Sequence, residues 1–158
     1  MGRRGELWRC PACGRGFANR RQVHACGRHD LDAHFAGKPP AVRAIYERFL
    51  ALLEGFGPVT VLPEKTRIAF QARMSFAQLT VRRHWVNGHL VLARRAEGPL
   101  FPRVETMSPR SHVHHFRLGG PDEVAALEPY AREAYAVGCQ HYFAASAPPV
   151  RDGGTPAC

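Results

Sequence analysis

The chain has 158 residues, with 22 lysines and arginines against 13 acids, a net charge of +9 and a sequence pI near 10.1. That length accommodates one medium domain and a small appendage, and no apolar run approaches the roughly 20 residues that a membrane-spanning helix needs. The excess charge attracts polyanions; because Lys38 and Lys65 are the only lysines it is carried by arginine, a bias that a GC-rich genome also produces.

Residues 1–36 read as a zinc-finger-like module. Cys10-Pro11-Ala12-Cys13-Gly14 places two thiolates on one tight turn, at one edge of a tetrahedron, and Gly14 lets the turn close. His24 and Cys26 supply a second pair, so the expected zinc ligands are Cys10, Cys13, His24 and Cys26, with His29 and His34 within reach as substitutes for His24. Phe17 and Val23 have the hydrophobic spacing of a zinc-finger hairpin and helix, and Trp8 is expected to pack on the knuckle. A redox pair would open a helix after a strand, and nothing before Cys10 reads as that strand. A disulfide framework fits five cysteines poorly, and without a recognisable signal segment the expected address is the cytoplasm. Cys139 and Cys158 are expected to be plain thiols. Arginines crowd this module, with Glu6, Asp30 and Asp32 as its only acids, and Arg15, Arg20, Arg21 and Arg28 are the candidates for nucleic-acid phosphate contacts.

A second unit, residues 38–143, follows a Gly- and Pro-containing link. Pro39-Pro40 opens a helix with Val42, Ile45, Tyr46, Phe49, Leu52, Leu53 and Phe56 on one stripe, ending at Gly55 and Gly57. Alternating apolar segments at 59–62, 67–72, 76–81 and 89–93 predict strands, and Asn87-Gly88 between the last two predicts a type I′ hairpin turn. Weaker strands at 103–107 and 112–118 precede a helix start at Pro121-Asp122-Glu123 and a helical run over 129–138, with a break at Pro129. The predicted fold class is α+β: an antiparallel sheet of about five or six strands with an N-terminal and a C-terminal helix on one face. The other face is expected to be open, and residues 144–158 form a flexible tail too poor in apolar residues to order itself.

The stretch Glu64-Lys65-Thr66-Arg67-Ile68-Ala69-Phe70-Gln71-Ala72, with Met74-Ser75-Phe76-Ala77, His112-Val113-His114-His115-Phe116 and Ala134-Tyr135, resembles the domain-of-unknown-function family numbered 5655 over roughly residues 38 to 140. The N-terminal Trp-x-Cys-Pro-x-Cys-Gly-Arg-x-Phe pattern is similar to zinc modules that precede this domain in bacterial proteins. The resemblance implies a two-part bacterial protein and supplies no activity.

Among candidates for chemistry, His112 and His114 fall on one face of a strand and with Lys65 and Arg67 make a candidate ligand-binding set. Pro63-Glu64-Lys65 lacks the second carboxylate a nuclease metal site requires. No serine sits in a nucleophile elbow, and no Gly-rich phosphate loop is present. Phe70, Phe76, Trp85 and Phe101 are the aromatics available for base stacking; Phe70 and Phe76 are expected in the core, and Trp85 exposed. The leading expectation is a non-enzymatic zinc protein whose basic module binds nucleic acid while the α+β domain binds a partner or ligand. The alternatives are a zinc-module adaptor for a protein partner, and an enzyme acting on a phosphate-containing substrate at the sheet face.

Overall fold

Pro40 opens helix α1 (Pro40–Glu54) in the computed structural model, which describes residues 5–24, 26, 27, 29–141 and 158. Proline suits a first helical position because its φ is already helical and the N–H it lacks would have no intrahelical partner. Val42, Ile45, Tyr46, Phe49 and Leu53 recur at helical spacing and are all buried, each contributing about 1.5–3 kcal/mol through the surface it removes from water. The residues leading into α1 do more than link. Phe35 is buried against Tyr46, ring centroids 5.3 Å apart, and Leu31 packs on the same core.

The stripe of α1 covers a six-stranded antiparallel sheet made of β3 (Thr60–Pro63), β4 (Ile68–Gln71), β5 (Ser75–Val81), β6 (Val86–Leu92), β7 (Arg103–Ser108) and β8 (Ser111–Leu118), in the order β3-β4-β5-β6-β8-β7. Helix α2 (Glu128–Gly138) follows a 3-10 segment, Pro121–Leu127, and packs beside α1 against β5 and β6. Phe49 meets Phe70 at 5.3 Å and Phe116 at 5.8 Å between ring centroids, so one helix residue joins strands from two parts of the sheet. The fold is thus α+β, with both helices on one sheet face. A separate two-stranded sheet, β1 (Trp8–Arg9) and β2 (Gly16–Phe17), belongs to the N-terminal module. Among the described residues no helix is long and apolar enough to cross a membrane.

Four local expectations are corrected. Asn87-Gly88 is not a hairpin turn but lies inside β6, and the chain reverses at Arg82 to Trp85, where the Arg82 N–H donates to the Trp85 carbonyl at 2.9 Å. Gly88 is there because the Phe116 ring and the Gln78 carbonyl sit 2.4 and 2.8 Å from where its Cβ would be. Trp85 is not an open stacking surface, since the Arg117 guanidinium lies over its ring at 4.2 Å and its Nε1 donates to Asn87. Val23 is not part of a hydrophobic finger core and is 96% exposed. Cys139 and Cys158 are not free thiols but form a disulfide, which ties the last residue to the end of α2. The rest of the expected tail lies outside the described residues, apart from Cys158. Pro129 sits in the first turn of α2, so the break it imposes falls at the change from 3-10 to α geometry.

Gly88→Ala should lower stability by roughly 1–3 kcal/mol, the usual cost of overpacking. Chemical denaturation should show a lower midpoint with an unchanged slope.

Candidate metal centre and the cleft beside it

The turn between β1 and β2 carries the first two candidate ligands. The Cys10 N–H donates to the Arg15 carbonyl at 2.9 Å and the Gly14 N–H to the Cys10 carbonyl at 2.8 Å, with Gly14 at φ +72°, where a side chain would be strained. Trp8 and Phe17 close the hairpin from one side, their rings 6.2 Å apart. His24 and Cys26 arrive from irregular chain rather than from a helix. Among the described residues no α-helix occurs before α1.

One ligand atom from each of Cys10, Cys13, His24 and Cys26 lies within 4.8 Å of the others, an arrangement that could hold a metal ion. The Cys10 and Cys26 sulfurs are 3.8 Å apart, and His24 Nε2 lies 3.2 Å from the sulfurs of both Cys13 and Cys26. His24 Nδ1 is 2.6 Å from the Gln22 carbonyl. A carbonyl only accepts, so Nδ1 carries the proton and the Nε2 lone pair of the neutral ring is left facing the sulfurs. Metal-binding histidines are oriented in this way.

The electrostatics point the same way. The Cys13 backbone N–H lowers the Cys10 pKa to about 6, against some opposition from burial. The Cys26 pKa is raised, chiefly by its contact with the Cys10 sulfur and then by burial. The Gln22 carbonyl raises that of His24. A cation among the sulfurs would relieve the opposition of one thiolate to the next, and this donor set fits one. His24 is the histidine in this cluster. His29 and His34 instead line a groove beside the sheet.

The module rests on the sheet face that the helices leave open. Gln71 Nε2 donates to the Gly16 carbonyl at 2.6 Å, and an Arg73 NH2 donates to the Gly5 carbonyl at 2.9 Å. A cleft of about 250 Å³ lies between the two, with Arg15, Phe17 and His24 on the module side and Arg67, Gln78 and His89 on the sheet side. A wider groove of about 700 Å³, lined by His29, Lys38, Lys65 and Arg82 among others, shares Glu64, Arg67 and Gln78 with it. Of the expected phosphate-contacting arginines, Arg15 lines the cleft, Arg20 and Arg21 are exposed elsewhere on the module, and Arg28 lies outside the described residues.

The structure does not bring Lys65 and Arg67 together with His112 and His114. The two histidines lie opposite Leu92 and Leu90 of β6, on the helix side of the sheet, and are buried. His114 Nδ1 donates to the His112 carbonyl at 3.0 Å, its Nε2 accepts the Ala96 N–H at 2.8 Å, and its ring packs edge-on to Phe101. Both nitrogens are thereby used by a neutral ring, and burial lowers its pKa. His112 is held by Thr106 Oγ1 and the Pro109 carbonyl. Sequence reading missed Gln78 and His89, opposite each other on β5 and β6. The signal that could have found them was their place at the polar positions of alternating strands. His89 also faces His115, whose Nε2 is 2.7 Å from Glu105. Burial, with help from His115, pushes the His89 pKa down to about 4.

These features define a class: an α+β domain bearing a Cys/His module on its open sheet face. The profile of the family described as "Domain of unknown function (DUF5655)" matches residues 31–138, and the chain belongs to that family. Comparison with curated proteins and with solved structures gave no match.

Two outcomes are expected. Elemental analysis should return one metal ion per chain, and Cys13→Ser should remove it while the sheet domain still unfolds cooperatively. An imidazole with a folded pKa below its unfolded value binds fewer protons folded than unfolded, so its stabilisation is lost as pH falls. For His89 the window runs from 6.5 down to about 4, and His114 acts in the same direction. The thermal midpoint should therefore drop across that window, less steeply in His89→Gln.

Proposed function

We propose that the protein is a zinc-stabilised, non-enzymatic nucleic-acid-binding protein, in which the module and the open sheet face together form the binding surface. The observation that carries this reading is the run of cleft and groove through Arg67. Six cationic side chains, Arg15, Lys38, Lys65, Arg67, Arg73 and Arg82, line it against the two carboxylates of Asp30 and Glu64. Both lysines of the chain are on this track. Such a path suits a phosphodiester backbone, whose charges repeat and whose binding releases counterions.

Zinc is the metal that the donor set favours. Three thiolates and one imidazole are a closed structural set for zinc. A tetrahedron with metal–sulfur bonds of about 2.3 Å has S···S edges near 3.8 Å, which is the separation of the Cys10 and Cys26 sulfurs. Zinc when bound would neutralise the thiolates and fix the loop from Phe17 to Cys26; the chemistry proposed for it is structural. The cytoplasm, where reduced thiols meet nucleic acid, is the compartment this reading favours. The Cys139–Cys158 disulfide is the bond that compartment would reduce.

Fluorescence anisotropy with labelled single- and double-stranded DNA and RNA should show affinity falling steeply as salt rises. Lys65→Glu with Arg82→Glu, both exposed, should weaken binding and flatten the slope of log K against log salt by about 0.7–0.9 for each phosphate that is no longer neutralised. Salt-independent capture of a single protein, with no affinity for any nucleic acid, would instead establish an adaptor.

A further inference from the structure

The wide groove and the narrow cleft differ in what they offer a ligand. The groove is open, and its four cations, Lys38, Lys65, Arg67 and Arg82, outnumber its two carboxylates. The cleft is a slot between two faces. Phe17 and Ala18 form one wall; Ala69 and Val91 are on the other, with a rim that includes Arg15, Arg67 and Arg73. At about 250 Å³ it has room for roughly eight waters at liquid density. That is too little for a folded partner and enough for one flat ring.

Its floor carries hydrogen-bonding groups that the protein does not use. Gln71 is buried, and its Nε2 is committed to the Gly16 and Arg73 carbonyls, while its Oε1 has no partner among the described residues. Neither the Gln78 amide nor the His89 ring makes a hydrogen bond to any described residue, although both line the cleft. Held neutral, the His89 imidazole offers one donor and one acceptor rather than a positive charge. The cleft thus presents an acceptor at Gln71, a donor and an acceptor at Gln78, and a donor and an acceptor at His89. An inorganic anion would use only donors. A nucleobase edge uses both kinds, its faces suit apolar walls, and its attached phosphate suits guanidinium groups at the rim.

We infer that the cleft between the N-terminal module and the open sheet face is a base-binding pocket that takes one unstacked nucleobase, reads its edge through Gln71, Gln78 and His89, and holds the adjoining phosphate with Arg67. The inference rests on the nucleic-acid reading above and makes it specific. The polymer's backbone follows the groove, and one base turns into the slot. A duplex cannot place a paired base there, so single strands bind more tightly than duplexes of the same length. The same base-and-phosphate chemistry is present in a free nucleotide, and the pocket would accept one more weakly because a single nucleotide does not reach along the groove.

The test uses the full-length, metal-loaded chain and its Gln78→Ala and Ser75→Trp variants. Gln78 is half-buried and Ser75 exposed on the same strand, and far-UV circular dichroism and metal content verify that each variant is folded. Anisotropy is measured with a homopolymeric single strand of each base and with a duplex, and the four nucleoside monophosphates are titrated by calorimetry. The expected result is a preference for single strands that differs among the bases. Gln78→Ala should weaken single-strand binding about tenfold, in line with the loss of hydrogen bonds to one base, and weaken duplex binding, which meets Gln78 only at the groove, by much less. Ser75→Trp, which fills the slot and is not part of the groove, should weaken single-strand binding likewise and leave duplex binding unchanged. Equal affinity for single strands and duplexes, untouched by either variant, overturns the pocket and leaves the nucleic-acid reading standing. Nucleotide binding that depends on Gln78, with no affinity for any polymer, supports the pocket and overturns the nucleic-acid reading. Binding of neither nucleotide nor polymer overturns both.

Discussion

The bond from the Gln71 side chain to the Gly16 carbonyl is the contact on which the cleft between module and sheet depends. Its donor sits at the end of β4 and its acceptor at the start of β2, so one hydrogen bond joins the N-terminal hairpin to the sheet. Gln71 is buried at this junction, and without the Gly16 carbonyl its Nε2 would keep only the longer bond to the Arg73 carbonyl, at 3.4 Å. Burial therefore makes the contact consequential in both directions: the sheet needs the carbonyl, and the hairpin is held where the carbonyl must be. Arg73 adds a second tie. Its NH2 reaches Gly5, its Nε reaches Gln140 beyond α2, and its backbone N–H bonds the Gly138 carbonyl. The N-terminal module, the sheet and α2 thus meet at one strand turn.

The same residue type has opposite fates on the two sides of this sheet, and the pleat decides which. His114 and His115 are neighbours in sequence, so their side chains leave β8 on opposite faces. His114 enters the helix-covered side, where a neutral imidazole with both nitrogens bonded is as well satisfied as any apolar neighbour. His115 goes to the open side, where it meets His89 and the Glu105 carboxylate. Three histidines in four residues, 112, 114 and 115, are conspicuous in sequence, yet two of them are packing residues. The imidazole on the sheet side of the cleft, His89, stands alone in its strand.

Legibility in the sequence follows from whether a signal has one physical cause or several. The stripe of α1 was legible because five buried positions at helical spacing leave no other structure that hides them all. The Cys/His cluster was legible because a Cys-x-x-Cys turn has few uses when no helix follows it to make a redox pair; the strand before it, β1, was not read, but the turn leads into β2 rather than into a helix. Asn87-Gly88 misled because glycine serves both a turn that needs positive φ and a strand crossed closely by another ring; only the position of Phe116, far along the chain, separates the two. Cys139 and Cys158 misled because pairing depends on where the chain end returns, which composition does not record. Gln78 and His89 carried the right alternation, but nothing in that pattern says which polar face is bare and which is covered by another module.

The two walls of the cleft are held by different forces. On the sheet side, strands β4, β5 and β6 are backed by α1 and α2 and a core that includes Phe49, Phe70, Phe76 and Leu90, all fully buried. The module side has little of this. Phe17 and Cys10 are its buried apolar residues among those described before Phe35, and Val23 faces solvent. A few buried groups cannot offset the entropy of ordering some twenty residues, at about 1–2 kcal/mol each for the backbone alone. What remains to fix the loop from Phe17 to Cys26 is the Cys/His cluster and the docking bonds of Gln71 and Arg73. In small modules of this kind the free energy of metal binding is folding free energy. The cleft is consequently only as persistent as its weaker wall, and a metal held by Cys10, Cys13, His24 and Cys26 would make the cluster and the polar slot beside it one thermodynamic unit.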